Sequence, residues 1–180
     1  MNFDDAVRAM ILQAGDDPNR EELKETPERV AKAYAELFSG YKADPLEVLK
    51  TFQKGTYDEM VIMRDIEYFS TCEHHLMPFF GRVDIAYLPG KKVVGLSKIA
   101  RLVDIFARRL QNQENLTQQI AETLFTGLNA RGVAVRLTGK HMCIVSRGIA
   151  KPDLEVVTTS FLGDFKDDKV LRAEFLGIEK

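Results

Sequence analysis

Both cysteines and all three histidines of this chain fall in two short windows, Cys72-Glu73-His74-His75 and His141-Met142-Cys143. Thiolate and imidazole together are the customary ligands of zinc, and Cys72 and His75, three apart on a tight turn, can chelate one ion from a single loop. Cys143 then supplies a third ligand from a distant segment, so metal binding and folding are coupled. His74 and His141 are left over, each within two residues of a proposed ligand. Imidazoles that titrate near neutrality therefore stand beside a Lewis acid, a combination suited to catalysis. Three protein ligands leave a coordination position for water, whereas a fourth ligand from His74 or His141 would make the site closed and structural.

Two blander readings compete. The cysteines could form a disulfide, and the histidines could be hydrogen-bonded core residues. A disulfide leaves the flanking histidines unexplained, and the opening MNFDDAVRAM carries acids early with no apolar signal core, so a reducing, cytoplasmic setting is expected. Lys plus Arg at 25 against Asp plus Glu at 27 gives no general field toward nucleic acid or an anionic membrane. Any polyanionic ligand must meet a local cluster of cations. No apolar run approaches the roughly 20 residues needed to span a bilayer.

The elements that must position the two windows follow from periodicity. Phe3, Val7, Met10 and Ile11 share a helical face before the breaker Gly15-Asp16-Asp17-Pro18, and a second helix opens with Thr26 as cap and Pro27 as its first residue. These form an N-terminal helical arm, residues 1–57, ahead of a domain over residues 58–180. Met60 to Phe69 and Phe79 to Leu88 read as strands, and the first window is the loop between them. Ser97 is read as the cap of a helix bearing Ile99, Leu102, Val103 and Phe106, and a second helix carries Leu116, Ile120, Leu124 and Leu128 until Gly132 ends it. Val133, Val135 and Leu137 alternate in a third strand, whose continuation puts His141 and Cys143 on one face. A fourth strand spans 154–162, and Leu171 to Ile178 forms a closing helix. The order strand, strand, helix, helix, strand, strand makes an α+β fold, a four-stranded antiparallel sheet with two helices on one face. Its other face and its edges then call for cover, which oligomerisation would supply.

Several motifs in this order resemble the zinc-dependent GTP cyclohydrolase I family. They are Thr26-Pro27-Glu28-Arg29-Val30-Ala31-Lys32, Ser70-Thr71-Cys72-Glu73-His74-His75, Gly95-Leu96-Ser97-Lys98-Ile99-Ala100-Arg101, Gln113-Glu114, and His141-Met142-Cys143 with Arg147-Gly148. The resemblance implies the tunnelling fold, a homodecamer with active sites at subunit interfaces, a Zn2+ cofactor, and conversion of GTP to 7,8-dihydroneopterin triphosphate and formate. It makes Cys72, His75 and Cys143 the metal ligands and zinc the agent that acidifies the water attacking purine C8. His141 becomes the general acid toward N7, and His74 a second proton shuttle or an orienting hydrogen-bond partner.

The remaining assignments also come from the resemblance. Glu114 would accept two parallel hydrogen bonds from guanine, Gln113 would assist in the base pocket, and Ser97 would contact the ribose. Arg29, Lys32, Lys98, Arg101 and Arg147 would hold the triphosphate, some of them across a subunit boundary. Taken alone, these cations are ordinary surface charges and Glu114 a favourable partner of a helix dipole. The chain departs from the family pattern at Asn112 and Asn115, where valine and arginine are more familiar. The closest rival within this fold, a deazaguanine nitrile reductase, would need a nucleophilic cysteine free of metal. A zinc-stabilised binding module would need four protein ligands.

Overall fold

Alternation of apolar and polar residues along four long segments builds one sheet, and that sheet decides where both windows lie. The computed structural model describes residues 2–53 and 57–177. Its elements are α1 (Phe3–Gln13), α2 (Thr26–Leu37), β1 (Thr51–Gln53), β2 (Val61–Cys72), β3 (Pro78–Leu88), β4 (Lys92–Val94), α3 (Leu96–Ala107) and β5 (Leu110–Gln111). There follow α4 (Gln113–Leu128), β6 (Gly132–His141), α5 (Met142–Val145), β7 (Val156–Gly163), α6 (Asp164–Asp167) and α7 (Lys169–Leu176).

The chain divides into two compact units, Met1–Ser39 and Gly40–Lys180. In the first, Asn2 caps α1 reciprocally: its Oδ1 accepts from the Asp5 N–H at 2.8 Å while Asp5 accepts from the Asn2 N–H at 3.0 Å. Phe3 meets Tyr34 edge-on, and Tyr34 meets Phe38, joining α1 to α2. The second helix starts one residue earlier than the motif implies, with Glu25 ahead of it and Thr26 already helical. The division at Ser39 lies upstream of the boundary placed near residue 57. Residues after it are tied into the second unit, for Gly40 N–H donates to the Arg108 carbonyl at 3.1 Å and β1 pairs with β4.

The sheet of the second unit has five strands in the order β5-β2-β3-β6-β7. The four long ones are antiparallel, as the sequence implies; the addition is β5, a two-residue edge piece parallel to β2. Tyr68, Phe79, Val83, Ile85, Val133, Val135 and Leu137 point to one face and pack against Ile99, Leu102, Val103 and Phe106 of α3 and Leu116, Ile120 and Leu124 of α4. All of these side chains are buried. Burying a side chain of this size stabilises by about 1.5–3 kcal/mol, so the helix-covered face is the rigid part of the domain. Part of the opposite face is covered by the chain itself, since Ala86, Leu88 and Ala134 pack on Phe165 of α6 and Phe175 of α7. Further along that face Phe69 stacks on Phe80 and stays 65% exposed.

Other boundaries also differ from the sequence reading, beginning with β2, which runs past Phe69 to Cys72. Gly95, not Ser97, precedes α3, and Ser97 is an exposed residue of its first turn. Asn129, with φ +47°, ends α4 in the left-handed conformation that asparagine tolerates, while Gly132 opens β6 instead. The third strand stops at His141, and Cys143 sits on the helical turn α5. The partner strand explains that stop. His141 pairs with Phe79, and β3 begins at Pro78, which has no N–H to extend the ladder. For the closing helix, α7 ends at Leu176, and Ile178 lies outside the described residues.

Candidate active site

The first window is a helical turn at the tip of the β2–β3 hairpin. Leu76 N–H donates to the Cys72 carbonyl at 2.9 Å and His75 N–H approaches the same oxygen at 3.4 Å, which brings residues three apart onto one side. Leu76 leaves the turn at φ +52°. The turn is braced at its root, where Cys72 N–H donates to the Met77 carbonyl at 2.8 Å and Glu73 N–H to the Gln111 carbonyl at 2.9 Å. Cys72 is buried beneath this loop, and its Sγ lies 3.6 Å from Nδ1 of His75.

The second window reaches the same place from the end of β6. One ligand atom each from Cys72, His75 and Cys143 lies within 4.8 Å of the others. Both cysteines are free thiols. The Cys143 thiol is pushed above its usual range, first by burial and then by the neighbouring Cys72, with Arg147 opposing. Two soft sulfur donors with an imidazole beside them form the donor set that a divalent cation neutralises. The group therefore fits a metal ion by donor chemistry and by convergence.

The two leftover histidines have different surroundings. His141 stacks on Phe79, ring centroids 4.6 Å apart and planes within 5°. Its Nε2 lies 2.9 Å from Oε1 of Gln113. Burial pushes its pKa below the ordinary imidazole range, against the opposing charge of Glu114. His74 is 66% exposed, with its Nδ1 3.9 Å from the Cys72 sulfur and its Nε2 3.8 Å from the Glu73 carboxylate. Glu73 does not simply face solvent, because Asn112 Nδ2 donates to it at 2.6 Å. Asn112 also caps α4, accepting from the Asn115 N–H at 2.8 Å.

Residues 3–180 match the GTP cyclohydrolase I family. The GTP cyclohydrolase 1 proteins of Brucella canis and Brucella melitensis are each 54% identical over 173 residues, covering 95% of this chain and 81% of theirs. The chain belongs to the GTP cyclohydrolase I family. Among solved structures, an archaeosine synthase QueF-Like protein in its apo form superposes with a TM-score of 0.50 at 18% identity, over 60% of this chain and 97% of that one. That likeness supports the tunnelling fold.

Within this member of the GTP cyclohydrolase I family the substrate residues suggested by sequence fall into separate groups. Glu114 is exposed in the first turn of α4 and, with Thr117, Gln118, Thr158, Thr159 and Ser160, lines a cavity of about 320 Å³. Gln113 beside it is 1% exposed, and its amide is engaged inside the protein with Val156, Thr158 and His141. Lys98, Arg101 and Ser97 share the first turns of α3, and Arg147 follows α5. Among the described residues these three cations form no ion pair. Arg29 and Lys32 lie on α2 of the first unit, each held at 2.6 Å by a glutamate one turn earlier, Glu25 and Glu28.

Sequence reasoning missed Phe79, Thr158 and the Asn112–Glu73 link. Phe79 and Thr158 meet the site only through cross-strand register, which a single sequence does not display. Asn112 carried a signal, since a polar residue directly before a helix is a cap with a side chain to spare. Among the described residues no helix is long and apolar enough to cross a membrane.

Proposed function

We propose that this chain converts GTP and water to 7,8-dihydroneopterin triphosphate and formate, opening pterin and folate synthesis. The observation that carries the reading is the convergence of Cys72, His75 and Cys143 within 4.8 Å in a chain of this family. Those three residues would hold zinc. When bound, zinc supplies Lewis acidity and lowers the pKa of a water toward neutrality.

The chain's own residues do the rest. Glu114, exposed beside its cavity, accepts paired hydrogen bonds from the N–H and amino group of guanine, a pattern adenine does not offer. His141 exchanges a proton with the imidazole portion of the purine, which makes C8 electrophilic. His74 serves as a second proton carrier. Lys98, Arg101 and Arg147 take the triphosphate, for which a near-neutral chain must use local cations. Arg29 and Lys32 join them only by exchanging their glutamate partners for phosphate. Gln113 and Ser97 complete the site, the latter against the ribose.

The metal ligands and both catalytic histidines lie in residues 58–180, which is the catalytic domain in this reading, with 1–57 as the arm. The assembly is a homodecamer in the cytoplasm with sites at subunit interfaces, and the exposed Phe69, stacked on Phe80, lies on a sheet face that assembly would cover. Nucleic acid and membrane play no part. The nitrile reductase alternative is disfavoured because the chain has two cysteines and both belong to the metal group. The test is direct. Zinc-loaded, assembled protein incubated with GTP releases one formate per pterin product, read by fluorescence after oxidation. A fully loaded, assembled sample that yields neither product rejects the function.

A further inference from the structure

We infer that Gln113 is a positioning residue: it fixes the His141 ring with Nε2 as an N–H donor and leaves Nδ1 as the ring nitrogen available to substrate. The inference rests on the reading of His141 as the group that exchanges protons with the purine.

The two ends of the Gln113 amide are distinguished by their partners. One end lies 3.0 Å from the Val156 carbonyl and 3.4 Å from the Leu137 carbonyl. Backbone carbonyls only accept, so that end must be the NH2 group. It also meets the Thr158 hydroxyl at 3.1 Å, and Thr158 is anchored in turn by Thr117 at 2.6 Å. The other end is therefore Oε1, which can only accept, and it faces His141 Nε2 at 2.9 Å. Nε2 must carry the hydrogen. A neutral imidazole has one N–H, so Nδ1 holds the free lone pair.

Two further features hold the pair in register. Phe79 lies flat against the imidazole, which limits rotation of the ring. Gly139, next-but-one before His141 on β6, leaves room for the amide, because a Cβ there would stand 2.5 Å from Gln113 Oε1 and 2.5 Å from the Tyr68 hydroxyl. Gln113 is 1% exposed and its polar atoms are all engaged, so a direct contact with guanine would require breaking buried hydrogen bonds. Its neighbour Glu114 points to the cavity instead. Adjacent residues of one helix turn thus divide the work, one reading the base and one orienting the imidazole.

The experiment uses zinc-loaded, assembled protein labelled with 15N-histidine and solid-state NMR. With three histidines in the chain, the His141 signals are found by difference from His141→Ala. The expected spectrum shows Nε2 protonated and Nδ1 bare, and Gln113→Met shows mixed tautomers. In steady state Gln113→Met loses roughly 10- to 1000-fold in kcat with KM for GTP nearly unchanged, the size expected when an acid–base imidazole loses its orientation. Gly139→Ala, whose added Cβ crowds Gln113 Oε1, moves kcat in the same direction as Gln113→Met. A bare Nε2 on His141 in the unaltered protein, with the ring's hydrogen on Nδ1 alone, overturns the inference whether or not the Gln113 variants fold. So does a Gln113→Met variant whose KM rises while kcat holds, the signature of a base contact. If His141→Ala keeps full turnover, the parent reading of His141 fails, whatever the tautomer.

Discussion

His141 and His74 belong to the two windows that supply the candidate metal ligands, yet the fold treats them in opposite ways. His141 ends a central strand, lies flat on Phe79 and meets a buried amide at 2.9 Å. His74 stands on a hairpin tip, 66% exposed, and reaches its neighbours only at 3.8 and 3.9 Å. The first ring is oriented before anything binds. The second has no comparably close partner among the described residues. Preorganisation within a single chain thus belongs to the sheet side of the site, where burial and cross-strand register leave one arrangement.

That contrast can be broken by substitution. The largest effect is expected from Cys143→Ser, which removes a ligand that the fold has already brought to the group: zinc per chain falls toward zero by metal analysis and turnover becomes undetectable. Next comes His141→Ala, with a loss of about 100- to 10,000-fold in kcat while zinc stoichiometry stays unchanged. Equal turnover in this variant and the unaltered chain would remove His141 from the chemistry. His74→Ala should cost less, about 10- to 100-fold in kcat or in zinc affinity, depending on whether the ring carries a proton or orients the site. A larger loss for His74 than for His141 would reverse the comparison. The smallest effect is assigned to Asn112→Ala, which gives up the cap of α4 and the bond to Glu73; thermal or denaturant unfolding should report about 1 kcal/mol of lost stability, with kcat within a few-fold.

Much of this arrangement was legible in the sequence, for identifiable reasons. Alternation in Arg82-Val83-Asp84-Ile85-Ala86-Tyr87 and of Val133, Val135 and Leu137 along the third strand announces strands with a buried helix-side face, and those strands are β3 and β6. Cysteine and histidine are scarce here, so their clustering marked the ligand group directly. The end of β6 was not legible, because it depends on Pro78 across the sheet. Nor was the setting of Gln113, whose partners Val156, Thr158 and His141 lie on two strands that only folding brings to α4. Local rules found elements and rare residues; they could not show contacts made by register. The extra edge strand β5 and the cover from Phe165 and Phe175 escaped for the same reason.

The central claim is that one metal ion is gripped by two sulfurs and one imidazole from two remote windows. X-ray absorption at the zinc edge of the loaded, assembled protein tests it most directly. The account predicts two Zn–S distances near 2.3 Å, one Zn–N distance of about 2.0–2.1 Å and a further light-atom ligand from solvent. A single sulfur, or four ligands all supplied by the protein, would contradict it.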